Sequence, residues 1–161
     1  MPLIQVSYSW EADATTVVTR VIDGDTFDTS AEVRVRLADI DTPETGEIGY
    51  DDAKNFLTSL VYQKTVYLDI DDLYRTDPYD RLVCVVYVDY NATHLMNVNK
   101  AILMEGYARI WEHDNEFNSS TWTLYVPKNP VAEFPTYIVL PLLVIIVAAA
   151  VVAFRRLTER K

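Results

Sequence analysis

Thr15-Thr16-Val17-Val18-Thr19-Arg20-Val21-Ile22-Asp23-Gly24-Asp25-Thr26-Phe27-Asp28-Thr29 alternates branched apolar and polar residues, breaks at Asp23-Gly24-Asp25, and resumes. A period of two is the pattern of a half-buried strand, and Asp-Gly is turn chemistry. The stretch therefore predicts a strand over 15–22, a turn, and a second strand over 26–29. Glu32 to Ile40 repeats the alternation, and Thr65 to Ile70 and Leu82 to Val88 predict further strands, with Tyr107 to Trp111 as a short closing one. Between them, Ala53, Phe56, Leu57, Leu60 and Val61 recur at helical spacing within Tyr50 to Tyr62. Leu95, Val98, Ile102 and Leu103 do so within Thr93 to Met104, and Gly106 stands where that helix would stop.

Five short strands with two or three helices fit an α+β, mainly β fold. The expected form is a small closed five-stranded barrel, of which the oligonucleotide-binding type is the commonest. With 161 residues there is room for one domain of ordinary size. Half the residues are hydrophobic, but that average joins two unlike parts. An N-terminal extension (1–14) and the barrel domain (15–114) are followed by a linker (115–135), where periodicity disappears and Pro127, Pro130 and Pro135 occur. Tyr137 to Phe154 is apolar without a charge, long enough at about 1.5 Å per residue to approach a bilayer core. It predicts a transmembrane helix over 136–154 and a basic cytoplasmic tail over 155–161, with Arg155 and Arg156 fixing the orientation.

The net charge is −10, and without the basic tail the rest carries −13. So acidic a body is poorly suited to general electrostatic attraction to nucleic acid, and any such activity must rest on a local positive pocket and a bound metal. The single cysteine, Cys84, lies in an apolar run and reads as a buried small hydrophobe. His94 and His113 are too few and too far apart for a zinc site, and read as surface or capping residues.

Three stretches carry chemistry. Asp25 and Asp41 each precede a threonine at a strand end, so two hard oxygen donors can converge from neighbouring strands. Calcium favours such donors, and the Thr42 carbonyl can complete the set. Glu44, just past Pro43, is placed to take a proton from a metal-bound water. Arg36 sits in an otherwise apolar strand and needs an anionic partner, while Arg81 opens the next strand after a polar turn. Both suit a bidentate grip on phosphate. Arg34 and Arg75 read as solvated or salt-bridged side chains, and Asp23 as a turn residue.

These residues resemble the staphylococcal nuclease family. The likeness runs from about Thr15 to Trp111 through Asp25, Arg36, Asp41-Thr42-Pro43-Glu44 and Arg75-Thr76-Asp77-x-Tyr79-x-Arg81, and on to Asn99, seven residues before Gly106. The resemblance implies a barrel of the oligonucleotide-binding type and calcium as cofactor, with Asp25, Asp41 and the Thr42 carbonyl as ligands. It further implies Glu44 as general base, Arg36 and Arg81 neutralising the pentacovalent phosphate, and Tyr79 on the substrate phosphate. The expected activity is endonucleolytic hydrolysis of single-stranded DNA and RNA, without sugar preference, to 3′-phosphate ends. A non-catalytic binding module on the same barrel, or a structural surface domain, is the alternative.

Asp80 stands where the family has glycine, and tolerates a left-handed turn better than most residues. Asp39 adds a carboxylate near the site, its side chain expected to face away. The family's base-stacking tyrosine would fall near Glu112, leaving Trp111 as a substitute, and a third helix is not evident in Glu112 to Val126.

The tail, Ala132-Glu133-Phe134-Pro135, an apolar span and Arg155-Arg156, resembles the C-terminal anchors of archaeal surface proteins. Asn91-Ala92-Thr93 and Asn118-Ser119-Ser120 are glycosylation acceptors compatible with an outer face. Met1 to Ala12, however, has neither a basic nor an apolar region of an export signal. The expected placement is a single-pass membrane protein with its barrel outside, the alternative being a cytosolic, tail-anchored one. No protein partner is evident.

Overall fold

In the computed structural model, which describes residues 10–128, alternation has become strand and helical spacing has become helix. The elements in chain order begin with β1 (Ala14–Val21), β2 (Thr26–Thr29), β3 (Arg34–Leu37), β4 (Ile40–Asp41), α1 (Tyr50–Val61) and β5 (Thr65–Ile70). They continue with β6 (Leu82–Asp89), β7 (His94–Asn97), α2 (Val98–Met104), β8 (Arg109–Ile110) and β9 (Tyr125–Pro127). A single 3-10 turn covers Ser119–Thr121.

Strand β1 pairs antiparallel with β2 and with β5, β2 pairs antiparallel with β3, and β5 does so with β6. The ring closes where β3 meets β6 in parallel, Val35, Arg36 and Leu37 standing opposite Leu82, Val83 and Cys84. The result is the closed five-stranded barrel with two helices expected of the oligonucleotide-binding type. A register shift between Val18 and Arg20 sharpens the bend of β1 that closure needs.

The barrel is filled by side chains of alternate strand positions, among them Val18, Phe27, Val35, Leu37, Val66, Leu68, Cys84 and Val86. Leu57 and Val61 of α1 and Val98 and Ile102 of α2 close its end. Burial pushes the Cys84 thiol well above its ordinary pKa, in keeping with an inert core residue. Strand β6 reads as an uninterrupted apolar run because both its faces are covered. On the outer side Trp10, Ala38, Val85, Tyr87, Leu95 and Val126 form a second cluster.

That second cluster corrects the expected linker. Residues 117–127 lie against the outer face of β6, β9 adds to β7, and the Trp10 indole donates to the Pro127 carbonyl at 2.7 Å. The folded unit thus extends through residue 128, and only 129–135 of the expected linker lie outside the described residues, as do the expected membrane span and tail. Among the described residues no helix is long and apolar enough to cross a membrane.

Three further expectations change. Residues His94–Asn97 of the expected second helix form β7 instead, and Asn97 then caps α2 by accepting from the Lys100 N–H at 2.9 Å. Of Tyr107 to Trp111 only Arg109–Ile110 pair, and they pair with β4 outside the barrel rather than closing it. The place of a third helix is taken by the 3-10 turn and β9.

Asn99 staples the closing seam. Fully buried on α2, it accepts from the Val86 N–H at 3.0 Å and donates to the carbonyls of Ala38 (3.0 Å) and Cys84 (3.2 Å). Replacing Asn99 by Ala leaves those three interior backbone groups without their partner. It is expected to cost about 2–4 kcal/mol, read as a lower denaturant midpoint at unchanged slope.

Asp69 on β5 offers a pH test. Burial, reinforced by Glu11, Glu116 and Asp13 against one weak backbone hydrogen bond, pushes its pKa up to about 7. Because the folded value lies above the unfolded one, stability is fully present below about pH 4 and is lost as pH rises through 7. Asp69→Asn is therefore expected to flatten that decline and to stabilise the protein at pH 8 by about 1–3 kcal/mol, measured by urea unfolding across the range.

Candidate active site

The turn between β1 and β2 sets the first donor. Asp23 accepts from the Asp25 N–H at 3.0 Å, and the Asp25 carbonyl accepts from the Leu37 N–H at 2.9 Å, fixing the backbone on both sides of Asp25. Gly24 lies so close to α1 and Thr42 that an added Cβ would come within 2.7 Å of both the Ala53 Cβ and the Thr42 hydroxyl oxygen. Only a residue without a side chain lets this turn approach.

Asp25, nearly buried, has each of its oxygens engaged. Oδ2 accepts from the Thr42 N–H (3.1 Å) and hydroxyl (2.9 Å) and lies 3.1 Å from Arg36 Nη1, while Oδ1 accepts from the Thr26 hydroxyl at 3.0 Å. Burial pushes its pKa up to about 6. Arg36 opposes that rise, Asp23 adds to it, and the Thr42 and Thr26 hydrogen bonds again oppose it.

Arg36, in the middle of β3, is aimed by two carbonyls: Nη1 donates to Leu37 at 3.0 Å and to Ile40 at 2.8 Å. Its Nη2 lies 3.5 Å from Asp41 Oδ1, so one guanidinium touches both carboxylates expected to ligate a cation. The other Asp41 oxygen accepts two hydrogen bonds from Arg109, at 3.0 and 2.7 Å.

Arg81, on the other side of the seam, is held by Asp77, whose Oδ2 accepts from Nε at 2.7 Å, and its Nη1 reaches the Thr26 hydroxyl at 3.3 Å. Burial of Asp77 works against ionisation. Hydrogen bonds from Arg81 and the Tyr79 N–H nonetheless keep its carboxyl below the ordinary carboxylate range. Asp80 supplies the left-handed residue of this turn, with φ 59°, and its side chain is exposed. The exposed ring of Tyr79 lies 5.2 Å from the Arg81 guanidinium.

Asp25, Arg36, Asp41, Glu44, Tyr79 and Arg81 all line one cleft of about 750 Å³. Glu44 is exposed, and its loop is braced by Glu47, whose carboxylate accepts from the Glu44 N–H at 2.8 Å while its own N–H returns to the Glu44 carbonyl. Thr42 lines a smaller neighbouring recess with Asp41 and serves the cleft through Asp25.

Asp25 and Asp41, bridged by one guanidinium, offer the hard oxygen chemistry a calcium ion takes. Clusters of three carboxylates, Glu11–Asp72–Glu116 and Glu11–Asp13–Asp69, lie elsewhere.

The cleft also holds residues to which the sequence reading gave a different place or no role. Asp39 does not face away: it lines the cleft, with φ 54° and Oδ1 accepting from Asn115 Nδ2 at 2.6 Å, and burial raises its pKa. His113 is exposed, as expected, and lines the cleft beside Trp111, ring centroids 5.2 Å apart. Trp111 is on the rim, whereas Glu112 accepts from the Ser119 hydroxyl at 3.2 Å. Tyr74, Asp71 and Asp77 complete the set through loops whose sequence has no period to read.

Residues 34–126 match the family described as staphylococcal nuclease homologue, a span that includes Arg36 to Glu44 and Arg81 and begins after Asp25. A protein of Shigella flexneri named micrococcal nuclease is 36% identical over 104 residues, 60% of this chain and 58% of its own length. Protein ParB of Escherichia coli is 35% identical over 113 residues, 66% of this chain and 62% of its own. An uncharacterized endonuclease of Escherichia coli O157:H7 is 35% identical over 121 residues, 71% and 74% of the two chains. This chain thus spans about three-fifths of the first two relatives.

Thr42→Val keeps the shape and the backbone N–H of Thr42 but removes the hydroxyl that stabilises the Asp25 carboxylate. The Asp25 pKa is expected to climb above 6, measured by NMR titration of its carboxyl carbon in the presence of chelator.

Proposed function

The chain belongs to the family of staphylococcal nuclease homologues, and from that premise we propose that it hydrolyses phosphodiester bonds of nucleic acid in the cleft holding Arg36, Arg81 and Glu44. The support is geometric. Two guanidinium groups, a free carboxylate and two fixed carboxylates meet in one cleft although Asp25 and Arg81 are far apart in sequence.

The proposed cofactor is calcium, bound by Asp25, Asp41 and the Thr42 carbonyl, where it would supply positive charge to the phosphoryl oxygens and to the attacking water. Glu44, which is exposed and forms no ion pair among the described residues, accepts the proton of that water as the new P–O bond forms. Arg36 and Arg81 approach from the two sides of the β3–β6 seam and hold the negative charge that builds on phosphorus. The bond to the 5′ oxygen breaks, the oxygen takes up a proton, and the phosphate stays on the 3′ side.

Single-stranded DNA and RNA are the proposed substrates. The open aromatic rim of Tyr79, Tyr74 and Trp111 suits unpaired bases, which can stack on side chains as bases in a duplex cannot. Tyr79, beside Arg81, is the proposed contact to a neighbouring phosphate. The apolar stretch Tyr137 to Phe154 with Arg155 and Arg156 behind it supports a membrane anchor, with the barrel on the outer face where calcium is plentiful.

Incubating the protein with single-stranded DNA and RNA, in calcium or in excess chelator, tests the proposal. Calcium-dependent cutting of both is expected, with 3′-phosphate products. Glu44→Gln, at an exposed position, should lower the rate about 10²- to 10⁴-fold without moving the thermal midpoint. Binding without cutting would leave a recognition module instead.

A further inference from the structure

Arg109 has no part in the hydrolysis described above, yet it makes the closest contact to Asp41. It faces Asp41 directly across the β4–β8 pair, and its Nε and Nη2 donate to the same Asp41 oxygen, Oδ2, at 3.0 and 2.7 Å. The other oxygen, Oδ1, is 3.5 Å from Arg36.

The two arginines differ in freedom. The Arg36 side chain is 16% exposed and is tied to the Leu37 and Ile40 carbonyls, so it stays in place. The Arg109 side chain is 79% exposed and reaches from solvent onto a carboxylate that is only 10% exposed. The Trp111 ring lies 6.0 Å away, and a released guanidinium can rest over its face.

A cation at Asp41 Oδ2 would sit about 2.3–2.6 Å from that oxygen, within the space the guanidinium fills, and two positive charges so close repel. We propose that Arg109 is a displaceable counter-cation of the metal site, competing with the divalent ion for Asp41 and lowering the site's affinity for it. The proposal rests on the reading of Asp25 and Asp41 as cation ligands. Arg109 keeps a nearly buried carboxylate neutralised and gives way when the ion arrives, which sets the concentration at which the site loads. It is a positioning residue for Asp41, not one that touches substrate.

Calcium binding to the full-length protein and to Arg109→Gln, followed by calorimetry at low ionic strength and without nucleic acid, tests this. Arg109→Gln should bind calcium about tenfold more tightly, and Arg109→Lys, a shorter point charge, should fall between. Arg34→Gln is the control for loss of any nearby positive charge, since Arg34 pairs with Asp28 on the neighbouring strands, and its affinity should stay within about twofold of the unaltered protein. An Arg109→Gln affinity equal to or weaker than the original, a gain no larger than that of Arg34→Gln, or no calcium binding by either protein would overturn it. Parallel cleavage assays separate the two readings. Tighter binding by Arg109→Gln with no cutting retains this inference and removes the nuclease, and cutting with unaltered affinity does the reverse.

Discussion

Strands β3 and β6 run side by side in parallel, and almost everything in the molecule depends on that contact. It closes the ring, so that five short strands enclose one core without leaving an open edge there. It also brings Arg36, in the middle of β3, next to the start of β6, where Arg81 stands. A parallel pair cannot be joined by a tight turn, so the chain between 37 and 82 must travel, and it carries β4, the Glu44 loop, α1 and β5 on the way. Asn99 secures the seam by answering, with one side chain, backbone groups on β6 and on Ala38 just past the end of β3. The meeting of Arg36 and Arg81 in one cleft is thus a consequence of barrel closure.

The strands were legible because their pattern is local. Alternation in 15–29, the Asp-Gly turn and the apolar run of β6 each carry their meaning within a few residues, as does the spacing of α1. Asp25, Arg36, Asp41, Glu44 and Arg81 stood out as charges in or beside otherwise apolar strands and in a short acidic loop, and all five line the one cleft. What was missed is long-range. The segment 115–128 has no period because it pairs at only three residues and otherwise packs irregularly on the outer face of β6, so composition made it look like a linker. His94 to Asn97 carry an apolar Leu95 that fits helix and strand alike, and the pairing with β6 decided the matter. Asp39 and Arg109 depend on the small β4–β8 pair, two residues long on each side, which has no sequence signature.

The charge of the cleft bears on how a polyanion can enter it. Among the described residues, Asp23, Asp39, Asp71, Asp77 and Asp114 line it beside the two proposed cation ligands and Glu44, against the arginines Arg36 and Arg81. Asp77 already neutralises Arg81, and Asp25 and Asp41 share Arg36. Long-range attraction therefore contributes little to the approach of a nucleic acid strand, and falls further behind on a chain of net charge −10. Contact must be short-range, with forks of N–H donors meeting phosphate oxygens and aromatic rings meeting bases. On the proposed reading, a divalent ion beside Arg36 adds two positive charges within the acidic lining. It thereby turns a repelling cleft into one that accepts a phosphate. Ion and strand are then coupled: each improves the site for the other, and affinity for the strand follows calcium more steeply than it follows the bulk charge of the protein.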